Sequence, residues 1–95
     1  MRTIERSSAF QRDYKRTKAT PRYRKELGSL LSDVVSLLLT DDVLPAIYRD
    51  HALAGDWAGY RECHLKPDLL LIYKLPDDET LSLVRLGSHS ELFAM

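Results

Sequence analysis

The chain has 95 residues, 44% hydrophobic and 29% charged, the size and make-up of one globular domain over residues 1–95 that needs no staples. Its longest apolar run, Leu69-Leu70-Leu71-Ile72-Tyr73, is too short to cross a bilayer, its amino terminus turns polar at once, and the lone Cys63 excludes an internal disulfide. The net charge of zero hides a polarity: residues 1–25 carry nine basic against two acidic residues (+7), the remainder five against twelve (−7).

In chain order, Thr3 to Arg6 reads as a short first strand. Ser8 then opens a helix with Gln11 as its capping-box partner. Phe10 and Tyr14, one turn apart, mark its buried side, and Arg12, Lys15, Arg16 and Lys18 spread over the rest. Thr20-Pro21 closes that helix and opens a second, with Thr20 as N-cap and Pro21 at the first helical position. Leu27, Leu30, Leu31, Val34, Leu37 and Leu38 recur at three- and four-residue spacing, the pattern of an amphipathic helix that ends at Thr40-Asp41-Asp42. The two helices are expected to form an antiparallel hairpin. From Val43 to Ala58 the chain reads as an irregular loop.

Three strand-like stretches follow, Gly59 to Leu65, Leu69 to Leu75 and Thr80 to Leu86, joined by Lys66-Pro67-Asp68 and Pro76-Asp77-Asp78-Glu79. Both connections suit hairpins, so an antiparallel meander is expected. The middle strand is apolar at nearly every position and needs cover on both faces. The helical hairpin covers one; loops and the C-terminal segment must shape the other, which is where a cleft is expected. The order β-α-α-β-β-β, with room for a short C-terminal helix, is an α+β fold of two layers.

All three histidines, His51, His64 and His89, fall in the second half. Strand alternation puts Tyr60, Glu62 and His64 on one face and Arg61, Cys63 and Leu65 on the other. A single strand histidine is usually a surface residue or a satisfied core one. Three, with Asp68 in the turn after His64, make a different case, because imidazole exchanges protons near neutrality. Cleavage of RNA by its own 2′-hydroxyl needs a base, an acid and cations for the phosphorane. His51, His64, His89 and Asp68 have the types for the first two; Arg61, Lys66 and Arg85 have the type for the third. The same histidines with Cys63 are also metal-ligand types, but no Cys-x-x-Cys or His-Glu-x-x-His spacing occurs, and no metal or other cofactor is assigned. Cys63 reads as a small buried residue, and Trp57 and Tyr60 as packing for a loop. Phe93 suits either base stacking or the core. On charge alone the basic first quarter fits a polyanion as well as it fits a solvated helix face.

The run Ile47-Tyr48-Arg49-Asp50-His51-Ala52-Leu53, then Gly55, Trp57, Gly59-Tyr60-Arg61, His64, Pro67-Asp68 and Leu71-Ile72-Tyr73-Lys74, resembles the YafQ group of RelE-type toxins. The ending Arg85-Leu86-Gly87-Ser88-His89-Ser90-Glu91-Leu92-Phe93 continues the likeness. The resemblance implies a RelE-like fold and a cytoplasmic mRNA interferase that cuts messenger RNA in the ribosomal decoding site. Its partners would be the ribosome, the mRNA and a cognate antitoxin that silences it. It also implies site residues: His51 as base, His89 as acid, His64 and Asp68 on the scissile phosphate, and Phe93 stacking on a base. Arg12, Lys15, Arg16, Lys18, Arg22 and Arg24 would then hold ribosomal RNA through salt-sensitive phosphate contacts. Two other classes stay open at this stage. One is a ParE-like toxin that inhibits DNA gyrase by binding, which needs no histidine cluster; the other, a metal-binding regulator.

Overall fold

The computed structural model of the chain describes residues 1–93. Strand β1 (Thr3–Arg6) is followed by helices α1 (Ser8–Ala19) and α2 (Leu27–Leu39), then by strands β2 (His51–Ala52), β3 (Arg61–Lys66), β4 (Leu69–Asp77) and β5 (Thr80–Gly87), and by a one-turn helix α3 (His89–Leu92). One sheet holds all five strands in the order β1-β5-β4-β3-β2. β1 runs parallel to β5; every other pair is antiparallel, so the expected meander forms and β1 is added at its far edge. The element order and the α+β architecture match the expectation. The two-residue strand β2 and two 3-10 turns, Ala46–Tyr48 and Gly55–Trp57, interrupt the stretch read as irregular loop.

α1 begins at Ser8 as expected, but its cap and the start of α2 differ from the sequence reading. Ser7, not Ser8, caps α1: its hydroxyl accepts the Phe10 N–H at 2.9 Å and donates to the Val84 carbonyl at 2.7 Å, pinning the helix start to β5. Gln11 does not return to the cap; its amide reaches the Arg6 carbonyl at 3.4 Å. Thr20 caps nothing. Its hydroxyl donates to the Arg16 carbonyl, and residues 21–26 form turns before α2 begins at Leu27.

Two apolar clusters sandwich β4. On the helical side Cys63, Leu65, Leu69, Leu71, Tyr73, Leu81, Leu83 and Leu86 meet Phe10, Leu27, Val34, Val35 and Leu38. On the other side Leu70 and Ile72 are covered by Leu92 of α3, with Leu53, Trp57, Tyr60, Val84 and Phe93 packed around them. That second face is covered by few, short elements, so polar side chains around its margin stay within reach of solvent. A β-bulge at Val84, between the pairs Ile72↔Arg85 and Tyr73↔Leu83, re-aims the end of β5. Arg85 thereby reaches α1, where it holds Asp13 at 2.6 Å.

Candidate active site

The thinly covered sheet face carries His51 and His64, and His89 stands on α3, which covers part of it. Glu62 and His64 alternate with the core residues Cys63 and Leu65 along β3, as read from the sequence. β2 pairs with β3 so that His51 stands directly across from Glu62. The result is a buried carboxylate shared by two imidazoles: Glu62 Oε1 lies 3.3 Å from His64 Nε2 and 3.7 Å from His51 Nε2. His51 Nδ1 is 2.8 Å from the Arg49 carbonyl, an oxygen that can only accept, so Nδ1 carries the proton. The lone pair of the neutral His51 ring is then on Nε2, and half of the side chain is open to solvent. His64 is mostly enclosed, and its Nδ1 is buried with no hydrogen-bond partner among the described residues. Outward from this edge of β3, a groove of about 520 Å³ is lined by His64, Arg49, Tyr48 and Lys66 among others.

His89 lies across β4 from these two. His64, Leu70 and Gly87 are in register on β3, β4 and β5, so two strand spacings, roughly 10 Å, separate the outer backbones. His89 follows two residues later as the first residue of α3, exposed, with its ring 4.9 Å from that of Phe93. Phe93 in turn meets the edge of Trp57 at 5.9 Å, and Trp57 meets Tyr60 at 5.3 Å. Phe93 is thus half-buried in the second apolar cluster rather than free in a tail. Trp57 and Tyr60 pack the loop onto the sheet, as expected.

The carboxylate expected among the histidines was Asp68; the structure puts Glu62 there. Asp68 is exposed in the turn between β3 and β4, 3.5 Å from Arg22 Nη1, and it borders a hollow shared with Ser88 and Glu91 beside His89. The turn carries its side chain toward the helices and α3, away from the His51–Glu62 pair. The expected phosphate cations are also engaged elsewhere. Arg61 points to the helical side, paired with Asp50 at 2.9 Å and touching the Tyr73 hydroxyl. Lys66 reaches Glu26 of α2 at 2.8 Å. Arg85 is held by Asp13, because a buried carboxylate must find a charged partner. Arg16 joins the same network through Asp13 and Glu91. Arg12, Lys15, Lys18, Arg22 and Arg24 remain exposed.

Sequence reasoning passed over two cations with access to the histidine face. Lys74 shares that face of β4 with Leu70 and Ile72, a placement alternation gives directly, and its Nζ lies 5.0 Å from the Tyr60 ring centre. Arg49 takes a left-handed conformation, φ 50°, after the first 3-10 turn and lines the groove beside His64. Neither forms an ion pair among the described residues. Cys63 is not available as a nucleophile: burial, with Asp50 and Glu62 nearby, pushes its thiol up to about 12.

Comparison with known proteins agrees with this fold. The sequence pattern of the family described as "Bacterial toxin of type II toxin-antitoxin system, YafQ" matches residues 2–94. The mRNA interferase toxin YafQ of Escherichia coli (strain K12) is 39% identical over 92 residues, covering 97% of this chain and 96% of that protein. The toxin in a crystal structure of the E. coli DinJ-YafQ complex superposes with a TM-score of 0.82 at 39% identity, covering 99% and 100% of the two chains. A metal-bound toxin from Helicobacter pylori is 48% identical with a TM-score of 0.81, covering 98% and 100%. The chain with this sheet, this histidine face and this full-length match belongs to the YafQ family of bacterial toxins of type II toxin–antitoxin systems.

Proposed function

We propose that the chain, as one domain, is an mRNA interferase: an endoribonuclease that cuts messenger RNA in the ribosomal decoding site, the ribose 2′-hydroxyl acting as nucleophile. The observation that carries this reading is the convergence of His51 and His64 on the single carboxylate of Glu62. His51 Nε2 takes the proton of the 2′-hydroxyl, and the freed oxygen attacks the adjacent phosphorus. His89 gives a proton to the departing 5′-oxygen. The products are a 2′,3′-cyclic phosphate and a 5′-hydroxyl. His64, held by Glu62, orients the phosphate from one side; Asp68 does so from the other through Arg22. Arg49 and Lys74 supply the positive charge first looked for in Arg61, Lys66 and Arg85. Phe93 presents a ring for base stacking, supported from behind by Trp57.

The E. coli relative crystallised with DinJ supports a cognate antitoxin as the partner that restrains this chain. A ribosomal target puts its work in the cytoplasm, and no helix among the described residues is long and apolar enough to cross a membrane. The H. pylori relative raises the question of a metal. The reaction as written needs proton transfers alone, and chelation separates it from a metal-assisted route.

The test is cleavage of a translated message by wild type and His89→Ala, each with and without chelator. The expected result is a loss of at least about 100-fold in His89→Ala and none on chelation. Full cleavage by His89→Ala would refute its role as acid, and a chelator-sensitive wild type would refute the metal-free route.

A further inference from the structure

Helix α3 is a single turn of four residues, too short to hold its own position, so what ties it down decides where His89 and Phe93 stand. Leu92 anchors one end in the second apolar cluster. The other end is held by polar contacts that converge on Arg16 of α1. Each guanidinium nitrogen has its own partner: Nε meets Glu91 Oε2 at 3.1 Å, Nη1 meets Asp13 Oδ1 at 2.9 Å, and Nη2 donates to the Leu86 carbonyl at 3.1 Å. The second oxygen of Glu91 accepts the Ser88 N–H at 2.8 Å, closing a capping box with the Ser88 hydroxyl. A side chain from the first helix thus grips the last one, next to the proposed acid.

Gly87 shows how closely this grip fits. A Cβ built there would stand 2.9 Å from Arg16 Nη2, 2.9 Å from Glu91 Oε1 and 3.3 Å from a Leu92 methyl. Gly55 and Gly59 are the glycines with positive φ, so a substitution at Gly87 acts by crowding these side-chain ends and not through backbone conformation.

We propose that Arg16 and Glu91 form a clasp over Gly87 that positions α3, making Arg16 a positioning residue for cleavage instead of one of the RNA-binding cations. The proposal rests on the reading of His89 as the acid. The two side chains are 43% and 46% exposed, and such a pair adds little to global stability. Its effect falls on geometry, where a displacement of about 1 Å at a reacting group can cost on the order of 100-fold in rate.

The experiment is single-turnover cleavage of mRNA on programmed ribosomes by the full chain, reading the maximal rate and the half-saturating ribosome concentration separately. The variants are Arg16→Ala, Glu91→Ala, their double, and Gly87→Ala, with His89→Ala alongside. Each single variant is expected to lose about tenfold in maximal rate with less than a twofold change in half-saturation. The double should be no slower than the slower single, because both remove one device. Gly87→Ala, which keeps both charges but wedges them apart, should match them. If Gly87→Ala fails to fold, the cycle on the two exposed side chains still decides. Losses that multiply in the double, a change confined to half-saturation in Arg16→Ala, or no loss in the singles would each overturn the clasp. If His89→Ala retained cleavage, the catalytic reading itself would fall; its loss beside silent clasp variants would remove the clasp alone.

Discussion

Asp13 and Glu62 are both buried carboxylates, and their surroundings set them to different tasks. Burial alone would raise the Asp13 carboxyl, but hydrogen bonds from Arg85, the Leu86 N–H and Arg16 outweigh it and hold it below its ordinary 3.8. A depressed carboxylate contributes stability that is complete above the ordinary value and lost as pH falls through the lowered one. Asp13→Asn is therefore expected to lower stability at neutral pH by roughly 2–3 kcal/mol, on the order of 10 °C in Tm, and to flatten the fall of Tm below pH 4. Thermal melts between pH 2 and 7 check this; parallel profiles for variant and wild type would contradict it. Glu62 has two imidazoles beside it and no guanidinium paired with it among the described residues, which in the proposed reading gives it to the site instead of the frame. Sequence alternation put Glu62 and His64 on one face, yet proximity along the chain favoured Asp68. What was missing was the pairing of β2 with β3, which no local pattern signals because β2 has two residues. The burial of Cys63 was legible from its apolar neighbours. Iodoacetamide should leave it unmodified in the folded chain and modify it in denaturant; rapid native alkylation would contradict that burial.

Among the elements, those with long periodic patterns were legible: the leucine spacing of α2, the alternation of β3, and a β4 apolar on both faces. Element ends were not. Adjacent serines made the cap of α1 ambiguous by one residue, and the structure decides for Ser7 through its bond to Val84, a contact 77 residues away in sequence. The start of α2 was misjudged because Thr20-Pro21 is a good local start signal, while the chain first spends residues 21–26 on turns. α3, expected only as a short helix without a stated start, opens on a local signal that was passed over: Ser88 with Glu91 three residues later forms a capping box. Ser88→Ala should destabilise that turn locally by about 1 kcal/mol. Amide exchange at Glu91, Leu92 and Phe93, whose N–H groups bond Ser88 Oγ, Ser88 O and His89 O, should speed up several-fold while the global melting temperature holds. Unchanged exchange there would mean that the hydrophobic anchor at Leu92 suffices.

For the molecule as a whole, the basic residues behind the +7 of residues 1–25 are not equivalent. Arg2 and Arg16 are tied into the fold, while Arg12, Lys15, Lys18 and Arg24 project from α1 and the turns after it. This exposed set fits a polyanionic surface. Replacing Arg12, Lys15 and Lys18 with Gln should weaken ribosome binding and reduce the slope of log affinity against log salt by about two, with no change in the cleavage chemistry once bound. Unaltered salt dependence would instead favour a merely solvated helix. Charge polarity was readable from the sequence, but its division into free and engaged cations depends on partners such as Asp13, buried by tertiary packing.

In the proposed reaction, imidazoles gathered at one side of the sheet move protons so that RNA cleaves itself. The most direct measurement is the chemistry of the ends left on a translated message cut by the wild-type chain. Attack by the 2′-hydroxyl leaves a 2′,3′-cyclic phosphate on the upstream fragment and a 5′-hydroxyl on the downstream one, and these ends are expected in chelator as in buffer. An upstream 3′-hydroxyl with a downstream 5′-phosphate would contradict it, since those ends require water as the nucleophile.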